Sequence, residues 1–543
     1  MADEIIDNGQ GGSTQTIVTP QKGHPKGLYL LFFTEMWERF SYYGMRAIFI
    51  LFITKALLMN SAEASNIFGS FTGLVYLTPL LGGYISDRYW GNRRSILVGG
   101  VLMAIGQFLL FFSGGMVTEG AASPGAISAM WAGLTLLIIG NGFFKPNIST
   151  MVGQLYPAND SRLDGAFTIF YMGINLGAFF SPLVCGGLGD TDSIYDFKYG
   201  FLAAGIGMVI SVISFELLKN KYIVSDKGEP LGMPKKAMDL KTILIVLGTI
   251  GLMFFLLNFK TMVSESPAMT SFFGKISEAI GMEFDPIAIL IYGAMIVIPF
   301  VIFSDKSLVS QEKQRISVIF ILAFFVIFFW ACFEQAGASL TLFADQQTNR
   351  HIGGWEMPAS YFQSVNPLLI IGLAPLFNML WIRLGRRGME PSSPLKMAIG
   401  LGLLALGYIV IAIGVNGVDP STKISMWWLL TLYSLHTMGE LCLSPIGLSM
   451  VSKLAPLRLS SLLMGTWFLA NAAANKFAGT LSALIPPSGG DASAAPVEFP
   501  VFFGITIDNL FTFFTVFIAL SGGAAILLFV IHKWLQKRMH GIN

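Results

Sequence analysis

Apolar runs of about 20 residues, the length a helix needs to cross the hydrocarbon core of a bilayer, recur along almost the whole chain. They fall near 27–54, 64–87, 95–113, 126–154, 163–187, 199–218, 241–259, 286–304, 316–342, 359–382, 394–415, 425–452, 460–485 and 507–532. This predicts fourteen spans and an all-α polytopic membrane protein, since a chain crossing lipid must satisfy its backbone within each helix. Residues 1–26 are polar, lack the apolar segment of a cleavable signal, and read as a disordered tail.

The first run breaks its own pattern. Glu35, Glu38, Arg39, Tyr42, Tyr43 and Arg46 lie inside it, and at ~100° per residue they share an arc of roughly 140°. The opposite face is Phe, Ile, Leu and Met. A charge in hydrocarbon costs several kcal/mol, so the stripe must face a protected interior. It serves there either as an ion-pair cluster that locks helices or as a site for protons and a charged solute. Intramembrane ionisable groups favour the second reading.

Composition agrees with the runs. Of 543 residues, 54% are hydrophobic and 12% charged, against about 25% charged in soluble proteins. Cys185, Cys332 and Cys442 sit apart in apolar runs, without metal-ligand spacing, and read as packing residues. Lys and Arg collect in alternate loops: Arg88, Arg93 and Arg94; Arg162; Lys219 to Lys236; Lys306 to Arg315; Arg383 to Arg387; Lys453 and Arg458; and Lys533 to Arg538. The opposite loops hold Glu63, Glu119, Asp190, Asp345, Glu356, Asp419, Asp491 and Glu498. By the positive-inside rule both termini are cytoplasmic, in the cytoplasmic membrane of the cell.

A faint repeat organises the runs. Asp87-Arg88-Tyr89-Trp90-Gly91-Asn92-Arg93-Arg94 follows the second run, and Arg383-Leu384-Gly385-Arg386-Arg387 follows the run 359–382. If 241–259 and 286–304 are an insertion, both segments end the second helix of a six-helix half. The expected organisation is therefore a bundle at 27–218, a linker with two additional helices at 219–315, and a second bundle at 316–543. Paired six-helix halves are the major-facilitator plan, with substrate held between them at mid-membrane.

Further polar residues lie inside the runs. Lys145 stands beside Pro146 in an apolar helix, where it can pair with Glu38 or receive a ligand carboxylate. Tyr171 and Asn175 are four apart, as are His436 and Glu440, and Trp467 and Asn471; Trp330 precedes Glu334 by one turn, and Asn366 opens the next helix. Lone cations (Arg46, Lys145) thus belong to the first half and lone carboxylates (Glu334, Glu440) to the second. A cavity between them suits a zwitterion such as a short peptide, carboxylate toward Arg46 and Lys145, ammonium toward Glu440. An Arg46–Glu334 pair could act as a gate. Burial in a dry cavity disfavours charged carboxylates and makes such glutamates candidate proton carriers.

These segments resemble one family. Glu35-x-x-Glu38-Arg39-Phe40-x-Tyr42-Tyr43-Gly44, the loop from Gly82 to Ile96, and Phe170-Tyr171-x-x-Ile174-Asn175-x-Gly177 are similar to signatures of the proton-dependent oligopeptide transporters, a branch of the major facilitator superfamily. The likeness extends from about Gly27 over nearly the whole chain, including the two additional helices of bacterial members. It implies uptake of di- and tripeptides by proton symport through alternating access, with no cofactor beyond the proton gradient. It also implies no nucleic acid and no obligate protein partner. Glu35, Glu38, Arg39 and Glu334 would couple protons. Arg46 and Lys145 would face the peptide C-terminus, Glu440 and Asn366 its N-terminus, and Asn175 its backbone. Tyr42, Tyr43, Tyr76, Trp330 and Trp467, with Asn471 beside them, would shape the pockets. Asp87, Arg88, Gly91 and Arg93 would form the gating motif. Ser95 stands where Thr is more usual, and Gly69 where some relatives carry a histidine, which leaves proton coupling to the glutamates. A relative carrying nitrate or another small anion, and a drug/proton antiporter, are the alternatives. An enzyme is not expected, because the chain has no HExxH, P-loop or nucleophile–base motif.

Overall fold

The computed structural model describes residues 23–542 apart from 122, 158–159, 235, 237–238, 281–282, 420–421 and 488–498. The expected tail, up to residue 22, lies outside the described residues, as do Lys235, Asp491 and Glu498. Each of the fourteen apolar runs carries a long helix. They are α1 (Lys26–Leu51), α2 (Ser61–Leu77), α3 (Gly91–Gly115), α4 (Pro124–Gln154), α5 (Leu163–Ser181), α6 (Phe197–Tyr222), α7 (Leu240–Glu265) and α8 (Pro286–Phe303). The second series is α9 (Ser310–Phe333), α10 (Val365–Arg386), α11 (Ser393–Val415), α12 (Met426–Leu454), α13 (Ser460–Ser482) and α14 (Leu510–Arg538).

Helix starts follow capping chemistry. The side chains of Asn60, Asp239, Asp285 and Asn509 accept backbone N–H groups at the starts of α2, α7, α8 and α14. Several runs expected as single helices are interrupted, and two of these interruptions bear on the site. After α2 the chain continues through the helix Pro79–Ile85 and a π-helical turn at Ser86–Trp90. Gly91 then takes φ 68°, a left-handed value open to a residue without Cβ. The run 316–342 stops at Phe333, passes through a 3₁₀ turn at Glu334–Gly337, and resumes at Ser339–Gln346. Among the described residues, ten helical segments are long and apolar enough to cross a membrane. One of them, Ser61–Gly115, runs for 55 residues, enough for two crossings at the helical rise.

The repeat recurs as packing. In each six-helix series the first helix packs on the fifth and sixth, and the third on the fourth and sixth. The third and fourth helices touch at glycines in both halves, the close approach that small residues permit. A Cβ on Gly140 of α4 would lie 2.6 Å from the Gly99 carbonyl oxygen of α3, and one on Gly439 of α12 2.7 Å from that of Gly400 of α11. The halves meet twice in the same sense, α2 on α13 and α5 on α10. Outside this pattern α7 packs on α4, and α8 on α13 and α2. Paired two-residue strands, such as His351–Ile352 with Trp355–Glu356, cross-brace the loops at the end away from the termini.

Candidate binding cavity and buried charge cluster

The stripe of α1 splits into two groups. Nearer the terminal end, Glu35, Glu38 and Arg39 are buried together. Arg39 Nε lies 2.8 Å from Glu35 Oε1 and 2.6 Å from Glu38 Oε2, and Asn141 of α4 donates to Glu38 Oε1 at 3.1 Å. One guanidinium and one amide thus compensate two carboxylates in a water-poor interior. The α5 signature closes over this cluster, because Gly177 lets the backbone lie where a Cβ would come 3.0 Å from Arg39 Cβ. None of the three residues lines the cavity described next.

Two turns further on, Arg46 forms an ion pair with Glu334 of the other half. The interruption after α9 builds this contact. It places Glu334 on a 3₁₀ turn. Gly337 makes the slot, since a Cβ there would lie 2.8 Å from Arg46 Nε. The rings of Tyr43 and Phe68 flank the guanidinium in cation–π geometry, with centroids 6.0 Å and 5.5 Å away.

Beside this pair a cavity of about 330 Å³ lies between the halves. Tyr43, Arg46, Tyr76, Lys145 and Asn175 line it from the first half; Trp330, Glu334, Asn366, Glu440, Trp467 and Asn471 line it from the second. Lys145 Nζ sits 4.4 Å from the centroid of the Tyr76 ring, a cation–π contact, and forms no ion pair among the described residues. The expected partner, Glu38, is already engaged by Arg39 and Asn141, which corrects that pairing. On the opposite wall Glu440 also has no cation among the described residues. It accepts the Asn366 amide at 2.8 Å, and the same amide donates to Thr437 Oγ1 at 3.0 Å. Asn175 and Asn471 occupy matching places on the two fifth helices. Each donates to the carbonyl four residues earlier, at 2.9 Å and 3.0 Å, which leaves its Oδ1 as an acceptor for a ligand.

A second expectation needs correction. Tyr42 is not a lining residue: it is buried, near-parallel to Phe71 (centroids 6.4 Å apart) and edge-on to Tyr43. One residue on a helix turns a side chain by ~100°, and that step separates a wall residue from a core residue. Asp87, Arg88, Gly91 and Arg93 lie at the terminal end, away from the cavity. Gly91 packs under the backbone of Met233, while the buried Arg93 donates to Asn220 Oδ1 at 2.9 Å and to the carbonyls of Lys219 and Ile223. The motif thereby staples the α2–α3 turn to the end of α6. Asp87 and Arg88 are exposed.

The cavity also uses residues to which the sequence assigned no binding role. Phe333, Gln363, Tyr433 and His436 line it, His436 with its ring 4.8 Å from that of Tyr408. The four-residue spacing of His436 and Glu440 was the available signal for a shared face. Gly69 is explained by the seam between halves, since a Cβ there would come 2.6 Å from Gly479 Cα. Among the described residues there is no cluster of His, Cys, Asp and Glu able to hold a metal ion.

Two helical halves around a buried, charge-lined cavity define a membrane carrier. Residues 93–491 match the POT family. A Bacillus subtilis protein named as an uncharacterized transporter is 37% identical over 467 residues, 84% of this chain and 87% of that one. A di-/tripeptide transporter of Lactococcus lactis subsp. cremoris is 34% identical over 463 residues, covering 83% and 87% of the two chains. The crystal structure of a peptide transporter, POT, in complex with sulfate superposes with a TM-score of 0.78 at 31% identity, covering 96% of this chain and 98% of that one. The chain belongs to the POT family; it is a transporter with the major-facilitator fold and not an enzyme.

Proposed function

We propose that the protein takes up di- and tripeptides by proton symport through alternating access. The observation that carries this reading is a pair of opposite charges in one cavity, each without an ion-pair partner among the described residues, Lys145 on the first wall and Glu440 on the second. A dipeptide presents the complementary pair at its ends. Its carboxylate meets Lys145 and, when Glu334 lets go, Arg46; its ammonium meets Glu440 and the Asn366 amide. Asn175 and Asn471 hold the backbone amide, and Tyr43, Tyr76, Trp330 and Trp467 bound the side chains. A simple anion such as nitrate would leave Glu440 unpaired, which argues against that alternative.

Proton coupling follows from competition for arginines. A proton on Glu334 cancels its charge, frees Arg46 for the substrate and loosens one contact between halves. A proton on Glu35 or Glu38 likewise redistributes Arg39. The bodies that move are residues 27–218 and 316–543, with 219–315 as linker and additional helices. The polar contacts joining them cluster at the end away from the termini: Lys55 to Asp345 at 2.7 Å, Ser65 to Ser482 at 2.8 Å, the Ser360 N–H to Asp190 at 3.0 Å, and Ser364 to the Phe179 carbonyl at 2.8 Å. With fourteen crossings, cytoplasmic termini and a place in the cytoplasmic membrane, the conformation is closed to the outside. No cofactor enters this scheme.

The test is uptake of labelled dialanine by purified protein in liposomes under an inward proton gradient. Accumulation that collapses with a protonophore is expected. Failure to accumulate dialanine under any gradient would overturn the peptide assignment.

A further inference from the structure

A buried lysine on α13 stands outside the machinery above. Lys476 is 3% exposed, and its ammonium lies 2.5 Å from Asp285 Oδ2 and donates to Ser70 Oγ at 2.8 Å. The three residues belong to three bodies: α13 of the second half, α2 of the first, and the start of α8 in the inserted pair. Asp285 serves two ends at once. Its Oδ1 accepts the N–H groups of Ile287 and Ala288, each at 3.0 Å, while its Oδ2 holds Lys476. The first of these roles is that of a helix cap for α8. The contact spans the seam where α2 and α13 approach to glycine distance at Gly69 and Gly479, one helical turn or less from Ser70 and Lys476. Ile291 of α8 packs over the same seam, with Cδ1 3.3 Å from a Cβ built on Gly73.

We propose that the two additional helices are a lock on the closed outer seam, and that the Asp285–Lys476–Ser70 contact is its bolt. When α2 and α13 separate on the outer side, Ser70 and Lys476 part, and α8, fixed to one of them, can no longer bridge both. Because α7 packs on α4, the inserted pair goes with the first half and opening draws Asp285 away from Lys476; a buried ammonium deprived of its carboxylate is strongly unfavourable, so the bolt biases the protein toward the outward-closed state. Burial pushes the Asp285 carboxyl up, but Lys476 and the helix-capping N–H groups prevail and hold it below the ordinary carboxylate range. A depressed carboxylate keeps its contribution above its ordinary value and loses it only as pH falls through the depressed one. The bolt therefore survives the mild external acidity that drives symport. The groups facing it are Lys260, which is itself paired with Glu283 at 2.7 Å, and Glu63 across a cavity of about 340 Å³.

The lock rests on alternating access but not on the identity of the solute, so its test reads conformation. Spin labels at Glu119→Cys and Gly354→Cys, both exposed at the outer end, report the distance between halves in the full protein; the three native cysteines are buried. Asp285→Asn keeps a capping acceptor and removes the charge. We expect it to raise the ratio of long to short distances at least about tenfold, with helical content retained in circular dichroism showing that the protein still folds. Lys476→Gln gives the same readout from the other side and serves if the first variant does not fold. Because both substitutions remove one contact, the double variant shifts no further than the larger single one. Unchanged distance distributions in the single variants, or strictly additive shifts in the double, would overturn the lock. Neither outcome depends on whether dialanine is carried.

Discussion

The two halves repeat one helix packing yet furnish their shared cavity with opposite charge. In the first half, the α1 stripe carries four charged residues, of which Glu35, Glu38 and Arg39 are joined behind the wall with one carboxylate charge in excess, while α4 adds Lys145, which has no ion-pair partner among the described residues. In the second half the corresponding α9 ends in a single carboxylate, Glu334, and α12 supplies Glu440 with no cation beside it among the described residues. The fifth helices, by contrast, are matched, Asn175 against Asn471. Packing that is alike with charges that differ separates two jobs. The repeated scaffold fixes where the cavity lies and how the halves rock. On the proposed function, the unlike charges select the ligand that spans it, while proton carriers stand in both halves, Glu35 and Glu38 in the first and Glu334 in the second.

The largest effect that would break this division is removal of either lone charge. Lys145→Ala or Glu440→Ala strips one clamp from the substrate, at a cost of about 2–5 kcal/mol, which is roughly 30-fold or more in affinity measured by dialanine competition. Wild-type affinity in either variant would contradict the opposed-wall picture. Next, Glu38→Gln separates transport from coupling: counterflow of peptide against peptide persists in proteoliposomes, while pH-driven accumulation is lost. Accumulation retained in this variant would place the proton path elsewhere. Arg93→Ala, in the staple rather than the cavity, loses several buried hydrogen bonds and lowers Tm by several degrees, corresponding to about 1–3 kcal/mol, with KM unchanged. The smallest effect belongs to Tyr42→Phe. Its ring packs on Phe71 away from the lining, so uptake stays within about twofold of wild type, whereas Tyr76→Phe, beneath Lys145, changes it more.

Much of this is legible from residue order. Helix positions follow from run length, and a charge inside a run has few places to go but a protected interior. The α1 stripe, Lys145, Glu334 and Glu440 stand out on that ground alone. Rotation and break points are not written so plainly. Tyr42 and Tyr43 differ by one residue and part between core and cavity. The interruption after Phe333 is carried by a single Gly337 that fits against Arg46, a contact between residues far apart in the chain. Lys476 escapes a reading by runs because its partner, Asp285, looks like loop and cap, and only the docking of α8 on α13 joins them. The short strand pairs in the outer loops, two residues each, are below any periodicity signal.

The most direct measurement of the central claim compares binding of dialanine with N-acetyl-dialanine in the wild-type protein and in Glu440→Ala, by competition in detergent. If Glu440 holds the ammonium, the wild type prefers free dialanine by at least about tenfold, and Glu440→Ala loses most of that preference. Equal discrimination in both proteins would mean that the peptide N-terminus is recognised elsewhere, and that the division of charge between the two walls does not select the ligand.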